Sequence, residues 1–268
     1  MKQMIIAAAS LLGTSLIPLL IEKVKFWNRL TWGYAAVGIA GLLVVAAAGR
    51  TVNGAKLNLS FGGITIQLSE FIKILFVFFV ACMLYQSTEQ RQIIITSIVA
   101  AVHVLILVAS RDLGSAGIFL LTYLVMLYVA TKEPLYLLGG FAFGGVSVIA
   151  ANRLFSHVHN RFLAWRDPVA VIDGAGYQVA QSLFAIGTGG WFGSGLYQGM
   201  PEKIPVVTSD FIFSAISEEL GAIFALCLIF LCIGCFLMFF NVALQIKDPF
   251  YKLLALGLGT EYGTQVFL

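Results

Sequence analysis

Apolar runs of membrane-crossing length recur along the chain, separated by short polar breaks. A hydrocarbon core about 30 Å thick needs roughly 20 residues of α-helix to cross it. On that scale the pattern predicts spans over residues 4–22, 32–49, 69–86, 93–110, 113–131, 134–151, 211–240 and 249–268. The last of these is still apolar where the sequence stops. The expected class is all-α, a polytopic transmembrane helical bundle of about seven complete spans plus a partial eighth, forming one membrane domain over residues 1–268. Open sheet edges have no place in lipid, because hydrocarbon offers unpaired backbone groups no partner.

The longest polar break covers residues 152–210. Within it Val179, Leu183 and Ile186 recur at helical spacing, with Gln178, Gln181 and Ser182 between them. This predicts a short amphipathic helix at the membrane interface. The glycines Gly187, Gly189, Gly190, Gly193 and Gly195 follow and mark tight backbone turns. Charges in the short loops set the orientation. Lys23, Lys25, Arg29, Arg91, Lys132, Lys247 and Lys252 fall on one side, and Arg50, Lys56 and Arg111 on the other. The richer side is expected in the cytoplasm, which puts the 152–210 loop and Asp210 outside.

Composition agrees with this class and removes others. The chain is 60% hydrophobic and 11% charged, against about 25% charged for a soluble domain. Its mean hydropathy is +0.95. A net charge of +3 without a basic block gives no footing for nucleic acid. Cys82, Cys227, Cys232 and Cys235 all lie in apolar runs, so they read as packing residues rather than a disulfide framework or zinc site. Lys2 is the only charge before the first apolar run, and that run is long enough to span, so no cleaved leader is expected.

The charged residues that remain in or beside apolar runs are the candidates for chemistry. Asp210 directly precedes an apolar run, where water meets lipid. A carboxylate poorly solvated there is expected to gain proton affinity and serve as a base, or else to cap a helix N-terminus. Glu70 and Lys73, three residues apart, share a helix face. They form either an intrahelical ion pair or a cavity wall where Lys73 meets phosphate. Glu218 and Glu219 follow Asp210 by roughly 12 Å of helix at ~1.5 Å per residue, and their side chains diverge by about 100°. They suit a buried polar network or a substrate contact. Arg161 and Arg166 can hold diphosphate or reach lipid headgroups. Asp112 is placed to cap a helix, His103 lies buried in a span, and His157 with His159 is a weak metal pattern.

Taken in order, several motifs resemble one family. They are Asn53-Gly54-Ala55, Gln67-Leu68-Ser69-Glu70-x-x-Lys73, Asp112-Leu113-Gly114-Ser115 and Arg161-x-x-x-Trp165-x-Asp167-Pro168. Gly174-Ala175-Gly176-Tyr177-Gln178-x-x-Gln181-Ser182 and Ala185-Ile186-Gly187-x-Gly189-Gly190 come next. Ser209-Asp210-Phe211-Ile212-Phe213 and Glu218-Glu219-x-Gly221 complete the set. The chain resembles the SEDS proteins, the FtsW/RodA/SpoVE group of peptidoglycan glycosyltransferases. Against their ten-helix pattern it lacks the first helix, most of the ninth and the tenth, so it reads as truncated at both ends. It departs from the family at Leu68, Leu57, Asn58 and Val206.

The resemblance implies a multi-pass protein of the bacterial cytoplasmic membrane that polymerises lipid II at the outer face, in cell shape or division. It implies Asp210 as the catalytic base, with Lys73, Glu70, Arg161, Arg166, Gln178, Glu218 and Glu219 around the substrate. It further implies a class B penicillin-binding protein as partner, membrane lipids as surroundings, and basic groups, Mg²⁺ or another divalent cation at the diphosphate. Two rival readings stay open from the residues: a flippase for the lipid-linked precursor, because charged groups and glycine-interrupted helices also suit transport, and a non-catalytic scaffold for division or elongation proteins.

Overall fold

The computed structural model describes residues 8, 10–17, 27–52, 55–61, 64–208 and 210–267. Most of the 4–22 span, together with Lys23, Lys25, Asn53, Gly54 and Ser209, lies outside the described residues. Helix α1 covers residues 10–17. It is followed by α2 (Thr31–Ala48), α3 (Leu68–Gln86), α4 (Gln90–Ala109), α5 (Leu113–Thr131) and α6 (Pro134–Leu154). Then come α7 (Ser156–Arg166), α8 (Tyr177–Gly189), α9 (Ile212–Gln245) and α10 (Pro249–Phe267). Among the described residues, α2, α3, α4, α5, α6 and α9 are long and apolar enough to cross a membrane. Helix α10 reaches the length but is not among them.

The described helices fall on the runs that the hydropathy pattern predicts, with one addition. Strands β1 (Arg50–Val52), β2 (Ala55–Phe61) and β3 (Ile64–Gln67) pair antiparallel between α2 and α3. Asn58 faces Gln67 and Phe61 faces Ile64 across the β2–β3 ladder. The alternation Leu57, Leu59, Phe61 with Lys56, Asn58, Ser60 is the sequence trace of this hairpin.

The chain divides into two compact units. The first joins residues up to Lys132 with Ala243–Glu261. Its core gathers Phe76, Phe79 and Phe119 around His103, all fully buried or nearly so. The His103 ring lies 5.3 Å from Phe76 and 6.3 Å from Phe119. Its Nδ1 meets the Val99 carbonyl at 2.9 Å. Gly38 lets α2 approach this ring, since a Cβ there would sit 2.8 Å from His103 Nε2. His103 is therefore a packing residue that closes the α2–α4 contact. Asp112 caps α5 as the sequence suggests, its Oδ1 accepting from the Ser115 amide at 3.1 Å.

The second unit joins Glu133–Val242 with Tyr262–Leu268. In place of an open loop it carries α7 and α8. Helix α8 coincides with the predicted amphipathic interface helix. Ala180, Ser182, Ala185 and Gly189 are buried, whereas Leu183 is half exposed. Next to lipid, small residues let backbones approach, while bulky apolar side chains need no protein cover.

Candidate functional site

Helix α9 is broken at Gly221, whose φ of 85° and ψ of 170° lie outside the helical region. An unbroken helix over these 34 residues would be ~51 Å long, well beyond a ~30 Å hydrocarbon core. A segment from the preceding loop closes the break. The Ser194 and Gly195 amides donate to the Glu218 and Glu219 carbonyls at 2.9 and 3.1 Å. The Ala222 and Ile223 amides donate to the Gly190 and Trp191 carbonyls at 2.8 and 3.3 Å. Backbone groups released by the break are thus paired again inside the protein. The approach is close enough that a Cβ on Gly193 would collide with the Glu219 carbonyl, and one on Gly221 with the Gly193 amide. Only glycine serves at these two positions.

This joint fixes Glu218. Its side chain is only 6% exposed. Oε1 accepts from the Met200 amide at 3.0 Å, while Oε2 is buried with no partner among the described residues. The carboxyl group lines a cleft of about 290 Å³ together with Gln181, Thr188, Ser194, Gln198 and Lys203. Helix α8 supplies the opposite wall. Ser182 is hydrogen-bonded through its hydroxyl to Ser214, and Gly189 packs against the Ser217 carbonyl.

Asp210 lies two residues before α9, in the turn that leads into it. The amides of Ser214 and Ala215 donate to the Phe211 carbonyl, so Phe211, and not Asp210, occupies the capping position. The Asp210 side chain is exposed. This corrects the expectation of a capping carboxylate: the helix starts one residue too late for the side chain to cap it. Among the described residues no group donates to this carboxylate. Arg161, Arg166 and Gln178 are exposed on α7 and α8 of the same unit, and Glu219 is half-buried. Asp210 does not line the Glu218 cleft.

Glu70 and Lys73 belong to the first unit. Lys73 is 2% exposed and its Nζ lies 2.8 Å from Glu70 Oε2, so the intrahelical pair forms. Burial of an ammonium in a span calls for such a partner. A further carboxylate, Glu261 on α10, is also buried and interacts electrostatically with Lys73 and Glu70.

Comparison with known proteins settles the family. The family model for the FtsW/RodA/SpoVE cell cycle proteins matches residues 1–268. The chain belongs to the FtsW/RodA/SpoVE family. It is 32% identical over 282 residues to the peptidoglycan glycosyltransferase RodA of Mycobacterium tuberculosis, covering 97% of this chain and 60% of that protein. To the stage V sporulation protein E of Bacillus subtilis it is 29% identical over 264 residues, covering 92% of this chain and 71% of that protein. The fold matches a chain of a solved peptidoglycan synthase complex with a TM-score of 0.76 at 22% identity, covering 97% of this chain and 75% of that one. It also matches Thermus thermophilus RodA with a TM-score of 0.66 at 20% identity, covering 97% and 72%. The chain therefore spans 60% of the length of the mycobacterial RodA proteins it matches.

Membership of the FtsW/RodA/SpoVE family makes the chain a multi-pass protein of the bacterial cytoplasmic membrane. The motifs Gly189-Gly190 and Glu218-Glu219-x-Gly221 turn out to be two halves of the joint at the α9 break. Ser194, Gln198 and Lys203, which line the cleft, carry no motif of their own. Their only sequence sign is a polar stretch between glycines. Among the described residues no three His, Cys, Asp or Glu side chains gather to hold a metal.

Proposed function

We propose that the protein is a peptidoglycan glycosyltransferase that polymerises lipid II at the outer face of the cytoplasmic membrane, with Asp210 as general base. The observation that carries this is the exposed Asp210 carboxylate, unencumbered by donors among the described residues, on a chain 32% identical to proteins named for that activity. In the reaction an acceptor sugar hydroxyl attacks the anomeric carbon of a lipid-diphosphate sugar. A carbon–oxygen bond forms to the acceptor and the bond to phosphate breaks. The hydroxyl proton passes to Asp210 and the diphosphate leaves with the bonding pair. Diphosphate departs without protonation, so one base suffices where glycoside hydrolysis calls for two carboxyl groups.

The exposed guanidinium groups of Arg161 and Arg166 suit the diphosphate, whose geometry they match in bidentate fashion. Lys73 is committed to Glu70 in the structure, so its part is to shape the first unit's interior and, on loss of that pair, to meet phosphate. Gln178 and Glu219 complete the set assigned to substrate. A class B penicillin-binding protein is the proposed partner, consistent with the likeness to a chain of a peptidoglycan synthase complex. A Mg²⁺ ion would come with the diphosphate. A transporter would use a discontinuous helix whose freed backbone groups meet the cargo, yet at the α9 break the amides and carbonyls are occupied by the 190–195 segment.

The test is polymerisation of labelled lipid II by the purified protein. Asp210→Asn is expected to lower the rate by at least ~100-fold, the lower range for a lost general base, without changing thermal stability. Polymerisation at the parent rate would remove Asp210 from the role.

A further inference from the structure

Asp210 stands between two fixed points of the second unit. Upstream, the buried Glu218 carboxylate accepts the Met200 amide through Oε1 at 3.0 Å. The Lys203 and Ile204 amides then donate to the Met200 and Pro201 carbonyls at 3.0 and 2.9 Å. The Ile204 side chain is only 3% exposed, so it pins the segment to the protein. Downstream, the Ser214 and Ala215 amides hold the Phe211 carbonyl at the start of α9. Residues 205–210 connect the two points.

Within that connection Val206 has a φ of +60°. Left-handed backbone suits glycine and is tolerated by asparagine, whereas a branched side chain crowds the neighbouring carbonyl there. Such strain persists only where the surroundings over-determine the conformation. The Val206 side chain is 47% exposed, so its own burial does not hold it. The flanks do. Ile204 is extended, at φ −85° and ψ 115°, in keeping with the restriction on a residue before proline. Pro205 has its φ set by its ring, and α9 fixes the exit. The conformation achieves a turn. The Val206 carbonyl accepts the Asp210 amide at 3.1 Å, a closure from residue i to i+4. The turn ends on the residue whose carboxylate is exposed.

We infer that Val206 is a positioning residue for Asp210: its left-handed backbone, held between the Ile204 anchor and the start of α9, closes the turn that presents the Asp210 carboxylate. The inference rests on the proposed role of Asp210 as general base and deepens it. It gives the strain at Val206 a purpose, since a base on a slack loop would spend much of its time away from the acceptor hydroxyl. What matters at this position is the backbone conformation, not the valine side chain.

The experiment compares Val206→Asn and Val206→Pro with the parent, each as the full chain purified in detergent. Three quantities are read: thermal unfolding, lipid II polymerisation, and NMR hydrogen exchange of the Asp210 amide in protein carrying isotopically labelled aspartate. Asparagine enters the left-handed region readily, whereas proline, with φ locked at about −65°, cannot. Val206→Asn is expected to unfold roughly 2–4 °C above the parent as strain is relieved. It should keep the Asp210 amide protected and retain the polymerisation rate. Val206→Pro is expected to lose that protection and to lower kcat by about 10–100-fold with KM within about twofold of the parent, as for a displaced catalytic group and not for lost binding. A Val206→Asn protein that unfolds below the parent would overturn the inference. So would a parent whose Asp210 amide exchanges without protection, or a folded Val206→Pro protein with the parent kcat. Should Val206→Pro not fold, the Val206→Asn shift and the exchange in the parent decide. Failure of the base reads differently: Asp210→Asn then polymerises at the parent rate while the amide protection and the Val206→Asn stabilisation persist.

Discussion

Ala222 donates its backbone N–H to the Gly190 carbonyl at 2.8 Å, across the point where α9 stops being helical. Segments far apart in sequence thereby share one set of backbone hydrogen bonds. The glycines on each side are what allow the two backbones to touch.

Gly221→Ala and Gly193→Ala should each cost about 3 kcal/mol or more, because a Cβ meets backbone and both residues have positive φ. Thermal unfolding in detergent should fall by roughly 6 °C or more for each. Gly234→Ala, with open space around the new methyl group, should stay within about 1 kcal/mol of the parent. Equal losses at all three positions would contradict the close approach.

Ser182 and Ser214 exchange a buried hydrogen bond between α8 and α9. Either serine changed to alanine should leave one hydroxyl unpaired and cost about 1–3 kcal/mol. The double variant should be no worse than the poorer single variant, since both polar groups are then gone. Additive losses in thermal unfolding would show that the two hydroxyl groups act independently.

Lys73 and Glu261 should be energetically coupled. Lys73→Met removes the buried cation that is paired with Glu70 and also acts electrostatically on the buried Glu261; of the two carboxylates only Glu70 is exposed. Loss of stability should follow, and Glu261→Gln in that background should recover part of it. A double-mutant cycle is expected to give a coupling of about 0.5–3 kcal/mol. A cycle that closes to zero would separate Glu261 from the pair.

Leu183 is 50% exposed on the outward face of α8. Leu183→Asp should weaken the seat of α8 at the interface, because that face has no protein cover and turns to lipid. Limited proteolysis of proteoliposomes should then cut within residues 167–176 sooner than in the parent, whereas Leu183→Met should leave the cleavage rate unchanged.

Much of this architecture was legible from hydropathy alone. Five described spans match runs read from the sequence to within a few residues, because lipid demands unbroken apolar length. The Asp112 cap was legible for a local reason: its partner, the Ser115 amide, is three residues away. So was α8: Val179, Leu183 and Ile186 read as the stripe of an interface helix, and Leu183 is exposed while the small residues Ala180, Ser182 and Ala185 pack inward. Helix α7 carries His159, Arg161 and Arg166 on an otherwise mixed surface and offers no periodic signal to distinguish it from a loop. The break at Gly221 left one clue, a helix too long for its bilayer. Asp210 could be picked out by position and resemblance, but its exposure depends on where α9 begins. The Glu218 cleft depends on the 190–204 segment folding back onto α9, and Glu261 on α10 returning beside α3, contacts that no spacing along the chain encodes.

The shared ladder at Gly221 also limits how such a chain can be recombined. A surface loop hung between two helices can ordinarily be swapped for another of similar reach. Residues 190–195 cannot be exchanged alone, since their carbonyls and amides are the missing rungs of a neighbouring helix. A chimera with a relative would have to transfer both halves of the splice together, from Gly189 through Ile223, or leave stranded polar backbone in oil.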